Sequence, residues 1–534
     1  MPRLLRITIM YIICLCLILN ACRKKEPELT PTPIPAKEVP IESTPLPGQI
    51  IFYVAAAGKD SNPGTLELPW ATINHAAEVL TSGQTVYVRD GIYKLARRIL
   101  VKNSGTELAW ITFAAYPGEF AVFDASDIDI GNPSTYPHDQ GTFQIERVSY
   151  IRVIGLVIHK SHQAGFMIRD SHHVELYNNI TDTTFSPGIA AWDTNQDSQG
   201  TEYIKIMGNT VTNANTWDML PKGYQREGEP PHEAISIAGA QNFEVAYNYL
   251  YNSDKEGIDV KEVSKHGKVH HNFIDHMDRQ GLYVDAWFGA IEDIEIYENV
   301  VRNCRGAGLI LSVENGKSVS DVLVHHNLII NNQGTGIFFS RWGDGPRSNI
   351  KIYNNTVYHN GYGSPNAGEK YFWITGGLYL FSNNLEDIDI RNNIFADNRA
   401  FQIAYSDHWL KIDVDFQKAF EAKKIVIANN LIFDQNKETY PVYVGWPPDM
   451  YANAWAVEGS NPVVGNPKFV SPPDGNYSLQ SGSPAVDAGD PGTGASGGVA
   501  RTDPDGSPVD IGAFPLYEPY EMWWVDNFPP EVKP

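Results

Sequence analysis

Short stretches of alternating apolar and polar residues recur along this chain, and each is followed by an asparagine and a second short apolar segment. The alternating stretch 294–297 is one example, with Asn299 and then Val300 after it. The equivalent asparagines are Asn179, Asn209, Asn248, Asn272, Asn299, Asn327, Asn355, Asn393 and Asn430, at steps of 24–28 residues with insertions of about ten. Strands of three to five residues at this period, without helices between them, predict a parallel β-helix.

In such a solenoid the asparagines stack above one another at a turn, where their side chains hydrogen-bond to their neighbours and to the backbone and tolerate left-handed geometry. We therefore interpret the asparagine column as scaffold and not as a catalytic feature. Columns of Ile, Leu and Val are expected to fill the interior, because successive coils stack about 4.8 Å apart.

The strand that follows the glycine turn of each coil carries the candidate chemistry. Its first and third residues after glycine are apolar in every coil, so they point inward and the second and fourth point outward. In two middle coils the outward positions hold Asp259 and Lys261, then Tyr283 and Asp285. Stacking predicts that Lys261 lies directly beside Asp285, and Asp259 beside Tyr283.

Both ends of the repeat region have their own patterns. Ile73, Ala76, Ala77 and Leu80 have helical spacing and predict a capping helix before the first coils. This stretch, and the segments 466–470, 481–489 and 510–514, resemble the caps of right-handed parallel β-helix proteins of the pectin-lyase-like superfamily. The resemblance covers residues 50 to about 517, and it implies an all-β solenoid that includes both caps. Many members of that superfamily act on extracellular polysaccharides, although some are not catalytic.

The N-terminal segment predicts export. Arg3 and Arg6 precede an apolar stretch that is typical of a signal peptide, and residues 19–22 resemble the bacterial lipobox, which implies lipidation of Cys22. We expect a signal peptide at 1–21, a Pro-rich tether at 22–49, and a C-terminal tail at 518–534. The folded body would then be anchored by lipid in the bacterial cell envelope, facing outside the cytoplasm.

The composition of the chain limits which partners and which cross-links are expected. The 534 residues include 41 Lys and Arg against 63 Asp and Glu, a net charge of −22, which argues against nucleic acid as a partner. Cys304 is the one cysteine outside the N-terminal segment, so no disulfide framework is expected in the solenoid. We expect a monomer whose partner is a polysaccharide.

We predict that Asp259, Asp285 and Lys261 are the catalytic residues. Asp259 and Asp285 are expected to lie one coil apart and two residues along, with Cα atoms roughly 8 Å apart. Their carboxyl groups then fall within the range of about 5 to 9.5 Å that glycoside hydrolases use, provided that their environments push their pKa values apart. Asp285, paired with Lys261, is expected to stay ionised as nucleophile or base, and Asp259 is expected to hold a proton as the acid. The predicted substrate-binding residues, most of them aromatic, are Trp192, Tyr283, Trp287, Glu314, Arg341, Trp342 and His232.

Two alternatives remain open. The segment 254–259 is similar to the acidic calcium segment of β-helix pectate lyases, which implies a Ca²⁺ site at Asp254, Glu256, Asp259 and Glu262 and a lyase or epimerase acting on uronates. However, Tyr283 stands where that resemblance implies a lysine base. The second alternative is a glycan-binding surface protein without catalytic activity.

Overall fold

The structure is a computed structural model that describes residues 50–130, 140–221, 230–363, 376–382, 384–405, 416–435, 442–444, 454–455, 460–493, 502–503 and 506–514. The predicted signal peptide, Cys22, the tether and the C-terminal tail lie outside the described residues. Within the described residues, no helix is long and apolar enough to cross a membrane.

Three long sheets, A, B and C, wind around a common core, and the chain passes through them in that order once per coil. Sheet A contains β1 (Ile50–Val54), β2 (Gln84–Val88), β5 (Ile111–Ala115), β8 (Ile151–Ile154), β11 (His172–Tyr177), β14 (Glu202–Met207), β17 (Gln241–Ala246), β20 (Lys265–His270), β23 (Ala290–Tyr297), β26 (Ser318–His325), β29 (Arg347–Tyr353), β32 (Leu385–Arg391) and β35 (Ile425–Ala428). Sheet B contains β3 (Gly91–Lys94), β6 (Ala121–Asp124), β9 (Leu156–Ser161), β12 (Ile180–Thr184), β15 (Thr210–Thr212), β18 (Tyr249–Tyr251), β21 (Phe273–Asp275), β24 (Val300–Arg302), β27 (Leu328–Ile330), β30 (Thr356–Tyr358), β33 (Ile394–Ala396), β36 (Leu431–Phe433) and β39 (Val463–Val464).

Sheet C forms the third face of the solenoid. It contains β4 (Ile99–Leu100), β7 (Gly141–Glu146), β10 (Ala164–Arg169), β13 (Ile189–Trp192), β16 (Ile235–Ala238), β19 (Ile258–Lys261), β22 (Leu282–Ala286), β25 (Leu309–Val313), β28 (Ile337–Phe339), β31 (Leu378–Leu380), β34 (Ile403–Tyr405), β37 (Val442–Val444) and β38 (Ala454–Trp455). Neighbouring strands are parallel apart from the β37–β38 pair, and a separate antiparallel hairpin joins β40 (Phe469–Ser471) to β41 (Asn476–Leu479). The predicted parallel β-helix is therefore confirmed.

Inward columns of aliphatic and aromatic side chains make one continuous core. In sheet A, for example, Val245, Val269 and Ile296 are register partners and are almost completely buried. In sheet C the first and third residues after each glycine turn, such as Ile258 and Val260, are buried in the same core, as the sequence pattern predicts. Because each strand alternates its faces, the next residue along must point away from this core.

The repeated asparagines form a buried hydrogen-bonded ladder. Asn299 shows the arrangement: its Nδ2 donates to Asn327 Oδ1 and to the Val269 carbonyl, both at 2.9 Å. Its Oδ1 accepts the backbone and side-chain N–H groups of Asn272 at 3.0 and 2.9 Å. The scaffold interpretation agrees with this geometry. The left-handed conformation lies one residue earlier than expected, for example at Glu298, whose φ is 52°.

A second ladder was not evident from the sequence. The Nδ2 of Asn332 donates to Asn360 Oδ1 at 2.9 Å, and that of Asn360 donates to Asn398 Oδ1 at 3.0 Å. The series begins at the amide of Cys304, which donates to Asn332 Oδ1, and ends at the side chain of Gln402. These residues stack at the turn that leads into sheet C, so the later coils are fixed at two turns.

The predicted N-terminal cap is helix α1 (Ile73–Val79). Thr72 begins it, since its hydroxyl accepts the N–H of His75 at 3.1 Å, and Asp60 in turn accepts the N–H of Thr72 at 2.9 Å. The apolar side of α1 is buried in the main core and packs beside β4. The helix thereby covers apolar side chains that would otherwise face solvent at the first coils.

In the part of the chain that the structure describes, a second helix and three single-turn 3₁₀ helices lie outside the repeat pattern. Helix α2 (Phe416–Lys423) follows β34 and places Phe420 against Tyr405, with ring centroids 5.1 Å apart. The 3₁₀ turns are Trp217–Met219, Pro472–Asp474 and Pro491–Thr493.

The C-terminal segment lies lengthwise on the outer face of sheet B. We refer to its described parts, 469–493 and 506–514, as the C-terminal strap. Apolar residues of the strap, Phe469, Tyr477, Leu479, Ala485, Ile511, Ala513 and Phe514, form one buried cluster with outward residues of strands from β18 to β36. Polar contacts add to this attachment, since Asn354 Nδ2 donates to the Asp510 carbonyl at 3.0 Å and Arg391 Nη1 lies 2.8 Å from an Asp490 oxygen.

Replacing Asn299 by Ala should destabilise the protein by about 3 kcal/mol, because buried donors and acceptors of the neighbouring coils lose their partners and each unpaired group costs about 1–3 kcal/mol. Urea denaturation followed by circular dichroism measures this change. Asn195→Ala, at an exposed position, is the control and should change the free energy of unfolding by less than about 0.5 kcal/mol. Equal effects of the two substitutions would contradict a stabilising role for the ladder.

Candidate functional site

The register of sheet C brings the predicted catalytic residues together on one face. Asp259 is the strand partner of Tyr283, and Lys261 is the partner of Asp285, as predicted. On either side, Ser236 is the partner of Asp259 and Ser312 is the partner of Asp285. The face therefore presents charged groups from β19 and β22 between neighbouring coils whose outward residues are small or apolar.

These side chains are buried, although the sequence predicted a solvated outer face. Asp259 is 2 % exposed, Lys261 7 % and Asp285 8 %. Glu262, which follows β19 in a left-handed conformation, is 7 % exposed. Loops between the sheets pack over this part of sheet C, so the charges interact in a medium of low effective dielectric constant and not in bulk water.

Glu233 is the centre of an ion-pair group that the sequence did not predict. The residue lies just before β16, and its Oε2 is 2.6 Å from Lys261 Nζ and accepts the Ser236 hydroxyl at 2.8 Å. Its other oxygen lies 3.8 Å from Lys255 Nζ. The attraction of both ammonium groups outweighs the effect of burial and lowers the pKa of Glu233, so this carboxylate is ionised.

The expected pairing of Lys261 with Asp285 is wrong. Besides Glu233, the Lys261 ammonium lies 3.8 Å from Asp259 Oδ2 and 3.5 Å from His232 Nδ1. The nearby carboxylates, above all Glu233, raise the pKa of Lys261 despite its burial. Lys261 therefore keeps its proton, and its main partner comes from the preceding coil.

Burial raises the pKa of three further carboxyl groups of the site, those of Asp259, Asp285 and Glu262. The pKa of Asp259 lies well above its usual value, because burial and the negative charge of Glu233 both disfavour ionisation. Burial followed by the charge of Glu314 raises the pKa of Asp285 to about 8, so the expectation that Asp285 stays ionised is also corrected. Burial raises the pKa of Glu262 to about 7.

Two further pairs border these carboxyl groups. The Tyr283 hydroxyl donates a short hydrogen bond to Glu314, and burial raises the pKa of both groups. Arg279 Nη1 donates to Glu256 Oε1 at 3.1 Å. We define the carboxyl cluster as Glu233, Glu256, Asp259, Glu262, Asp285 and Glu314. Of these six, Glu314 is the one that is only half-buried, so it marks the mouth of the site.

The predicted Ca²⁺ ligands do not form a ligand set. Asp254 is exposed and its carboxylate faces the backbone N–H of Trp217 at 3.4 Å, while Glu256 is paired with Arg279. Among the described residues, no group of three or more His, Cys, Asp or Glu side chains has a geometry that could hold a metal ion. The residues present therefore do not fit the calcium site that the resemblance implied.

The predicted aromatic residues fall into two groups. Trp192 is half-buried two coils before Lys261, with its ring 4.8 Å from that of His232, and Trp287 is 40 % exposed just after β22. Both are positioned to contact a ligand beside the carboxyl cluster. Trp342 instead packs against Phe338, and the Arg341 guanidinium lies 5.5 Å from the centre of the Phe381 ring.

That second group belongs to an apolar cluster on the outer face of the later coils of sheet C. Its buried members are Tyr283, Ala307, Ile310, Phe338, Tyr379, Phe381, Ala400, Phe401 and Ala404. Arg341 also lies 3.8 Å from Asp344. Arg341 and Trp342 therefore lie against this apolar cluster, and Tyr283 joins it to the carboxyl cluster.

A sequence signal for Glu233 did exist. The amide of Ala234 donates to the Glu256 carbonyl, which places Glu233 at the same turn position as Glu256, one coil earlier. Glu233 and Glu256 each stand two residues before the first inward residue of the strand that follows, which is Ile235 or Ile258. Extending the alignment of coils by one residue towards the N-terminus would have placed Glu233 beside the predicted site.

The chain belongs to the right-handed β-helix family. The family described as a right-handed β-helix region matches residues 141–319, 202–393 and 315–419, which together cover more than half of the chain. A second family, described as the Pel9A-like right-handed β-helix region, matches residues 52–228. The latter match ends before Glu233 and so does not include the carboxyl cluster.

Two curated relatives match parts of the chain. The uncharacterised protein YwoF of Bacillus subtilis (strain 168) is 28 % identical over 217 residues, which is 39 % of this chain and 43 % of that protein. Pectate lyase PEL9 of Emericella nidulans is 31 % identical over 104 residues, 18 % of this chain and 25 % of the relative. The matches span less than half the length of either relative.

Solved structures with similar architecture include pectate lyase Pel9A, with 14 % identity, a TM-score of 0.45, and coverage of 88 % of this chain and 96 % of that one. The complex of XylC with xylose has 13 % identity and a TM-score of 0.45, and covers 79 % and 87 % of the two chains.

The proton on Asp285 should make stability depend on pH. The folded protein keeps this proton up to a pKa of about 8, whereas the unfolded chain loses it near 4, so the free energy of unfolding falls as pH rises between these values. In Asp285→Asn this part of the slope should disappear. Urea denaturation at pH 5 and pH 8 measures the difference.

The control for this experiment is Asp293→Asn, which changes an exposed carboxylate on sheet A and should keep the wild-type pH dependence. An Asp285→Asn variant that loses as much stability between pH 5 and pH 8 as the wild type would show that Asp285 ionises normally.

Proposed function

We propose that this protein is a polysaccharide-cleaving enzyme, and that the carboxyl cluster on sheet C supplies the acid–base chemistry of a glycoside hydrolase. The observation that carries the proposal is the pair of buried carboxyl groups of Asp259 and Asp285 on neighbouring strands beside the Glu233–Lys261 ion pair, where burial raises the pKa of both. A carboxyl group that is still protonated near neutral pH can protonate the oxygen of a leaving sugar.

In this proposal Asp285 is the proton donor, which reverses the role expected from the sequence. Asp285 is close to the mouth of the site, and its pKa of about 8 keeps it protonated at neutral pH. Glu314 is the partner carboxylate, because it is half-buried and the Tyr283 hydroxyl donates a hydrogen bond to it, which favours its ionised form. Asp259 lies deeper, and Trp192 and Trp287 would bind sugar rings.

Lysine-assisted β-elimination fits the site less well. A lyase needs a base for the proton next to the uronate carboxyl group, and Lys261 is held as an ammonium ion by Glu233 and Asp259. Lys255 lies between Glu233 and Glu256, at 3.8 and 3.9 Å from their oxygens. Lys261 is therefore not available as a neutral amine, and Lys255 is engaged with two carboxylates.

A uronate lyase or epimerase is the second candidate function. It is supported by the match of residues 52–228 to the Pel9A-like region and by the partial similarity to pectate lyase PEL9. A lyase would release unsaturated uronate ends that absorb ultraviolet light, whereas a hydrolase releases reducing ends without this absorbance. An epimerase would change the composition of the uronates without cleaving the chain.

On a panel of polysaccharides, the wild type should release reducing ends from at least one substrate, and Asp285→Asn and Asp259→Asn should each lower the rate about 100-fold or more. Asp293→Asn is the matched control, with the same exchange at an exposed site on another sheet, and should keep the wild-type rate. Full activity in both cluster variants would exclude this site.

Binding without cleavage on the whole panel would favour a glycan-binding surface protein. Ultraviolet absorbance of the products, lost on addition of a chelator, would favour the calcium-dependent lyase.

We also propose that the protein is exported and anchored by lipid at Cys22, with the tether at 22–49 holding the solenoid, residues 50–517, outside the cytoplasm. The basic and apolar N-terminal residues and the lipobox-like sequence support this proposal. Cys22→Ala should move the protein from the membrane fraction to the soluble fraction of cells that express it. Unchanged membrane association of this variant would contradict lipidation.

A further inference from the structure

The carboxyl cluster contains more negative groups than the surrounding cations can neutralise. Its six carboxyl groups face three cations in the described part of the chain, namely Lys255, Lys261 and Arg279. His232 borders the same group, with its Nδ1 3.5 Å from Lys261 Nζ. A fully ionised cluster would thus hold three more negative charges than Lys255, Lys261 and Arg279 supply.

The three cations are already engaged within the protein. Lys261 contacts Glu233 and Asp259, Lys255 lies between Glu233 and Glu256, and Arg279 donates to Glu256. A uronate would add a further carboxylate to the site without finding an unengaged cation there. The site therefore disfavours an anionic sugar on electrostatic grounds.

Buried oxygen atoms of the cluster have no hydrogen-bond partner. They are Glu256 Oε2, Asp259 Oδ1, Glu262 Oε2 and Asp285 Oδ1, on side chains that are all more than nine-tenths buried, and of these Glu256 Oε2 lies 3.9 Å from the Lys255 ammonium. Unpaired polar atoms in a protein interior are costly and are uncommon without a function. Asp259 and Asp285 lie on the neighbouring strands β19 and β22, and Glu262 directly follows β19.

A ligand that supplies both positive charge and several N–H donors would satisfy this site. A protonated primary amine carries one positive charge and three donors, whereas a hydroxyl or an N-acetyl group carries no charge. A metal ion would supply charge too, but the described carboxyl groups do not converge on a point as metal ligands must. The exposed Trp287 and the half-buried Trp192 add ring faces that favour a cationic sugar.

We propose that the site recognises a glycan with free amino groups, that is, a deacetylated amino-sugar polymer, whose ammonium group enters beside Glu314 and faces Glu262. This substrate class rests on the proposed function of the same site. It differs from the uronates of the pectate lyase relative in the sign of the sugar charge.

The test is calorimetric binding of the full chain to three hexasaccharides: β-1,4-linked glucosamine, its N-acetylated form, and galacturonate. The glucosamine hexamer should bind at least tenfold more tightly than either of the others, and its affinity should fall as salt concentration rises. Glu314→Gln and Glu262→Gln should each weaken its binding about tenfold or more. Glu292→Gln, which changes a carboxylate on sheet A, is the matched control and should bind as the wild type does.

Equal or tighter binding of the N-acetylated hexamer, or of galacturonate with or without added Ca²⁺, would overturn the proposal, as would no binding of any hexamer. Thermal unfolding of each variant shows whether it is folded, so that a lost affinity is assigned to the site. Binding and cleavage are read separately. Tight binding of glucosamine oligomers without cleavage supports this substrate class and counts against the hydrolase. Cleavage of neutral or acidic glycans alone supports the hydrolase and counts against this substrate class.

Discussion

Hydrogen bonding along the solenoid axis is the constraint on which the rest of this structure depends. Each strand pairs with the equivalent strand of the next coil, and a slip by one residue would turn every inward side chain outward. The asparagine ladder prevents such slips, because Asn272, Asn299 and Asn327 must lie at the same height in their coils to bond to one another. The same fixed register brings Asp259 beside Tyr283 and Lys261 beside Asp285.

The rigid scaffold permits a costly arrangement of charge. Six carboxyl groups share a small region of sheet C, and several of them retain protons because ionisation there is unfavourable. An isolated strand pair would relieve this strain by moving the side chains into water. Here the strands are fixed by neighbours on both sides, so the unfavourable electrostatic energy remains in the folded state. Such regions are typical of functional sites, where stability is lower than the fold alone would give.

The sequence was sufficient to predict the features that repeat. Period-two alternation after each glycine turn predicted which residues face outward, and the spacing of coils predicted the partners of Asp259 and Lys261, both of which the register confirms. The helical spacing from Ile73 to Leu80 likewise predicted the N-terminal cap.

Features that arise from loops were not predictable in this way. The burial of Asp285 depends on how non-repeating segments pack over sheet C, and no periodic pattern describes that packing. The expected ionisation state of Asp285 was wrong for the same reason. That expectation relied on the ammonium group of Lys261, which instead pairs with Glu233 of the preceding coil.

The C-terminal strap alters how the molecule can come apart. In a simple stack of repeats each coil contacts only its nearest neighbours, so the last coils can fray one at a time while the rest stay folded. The strap shares one buried apolar cluster with outward residues of strands from β18 to β36, and Asp490 and Asp510 hold it to residues of different coils. Separation of a late coil therefore also disturbs the contacts that the strap makes with another coil. The strap makes the unfolding of the solenoid more cooperative than that of a one-dimensional array of repeats. It lies on sheet B, so it does not cover the charged face of sheet C.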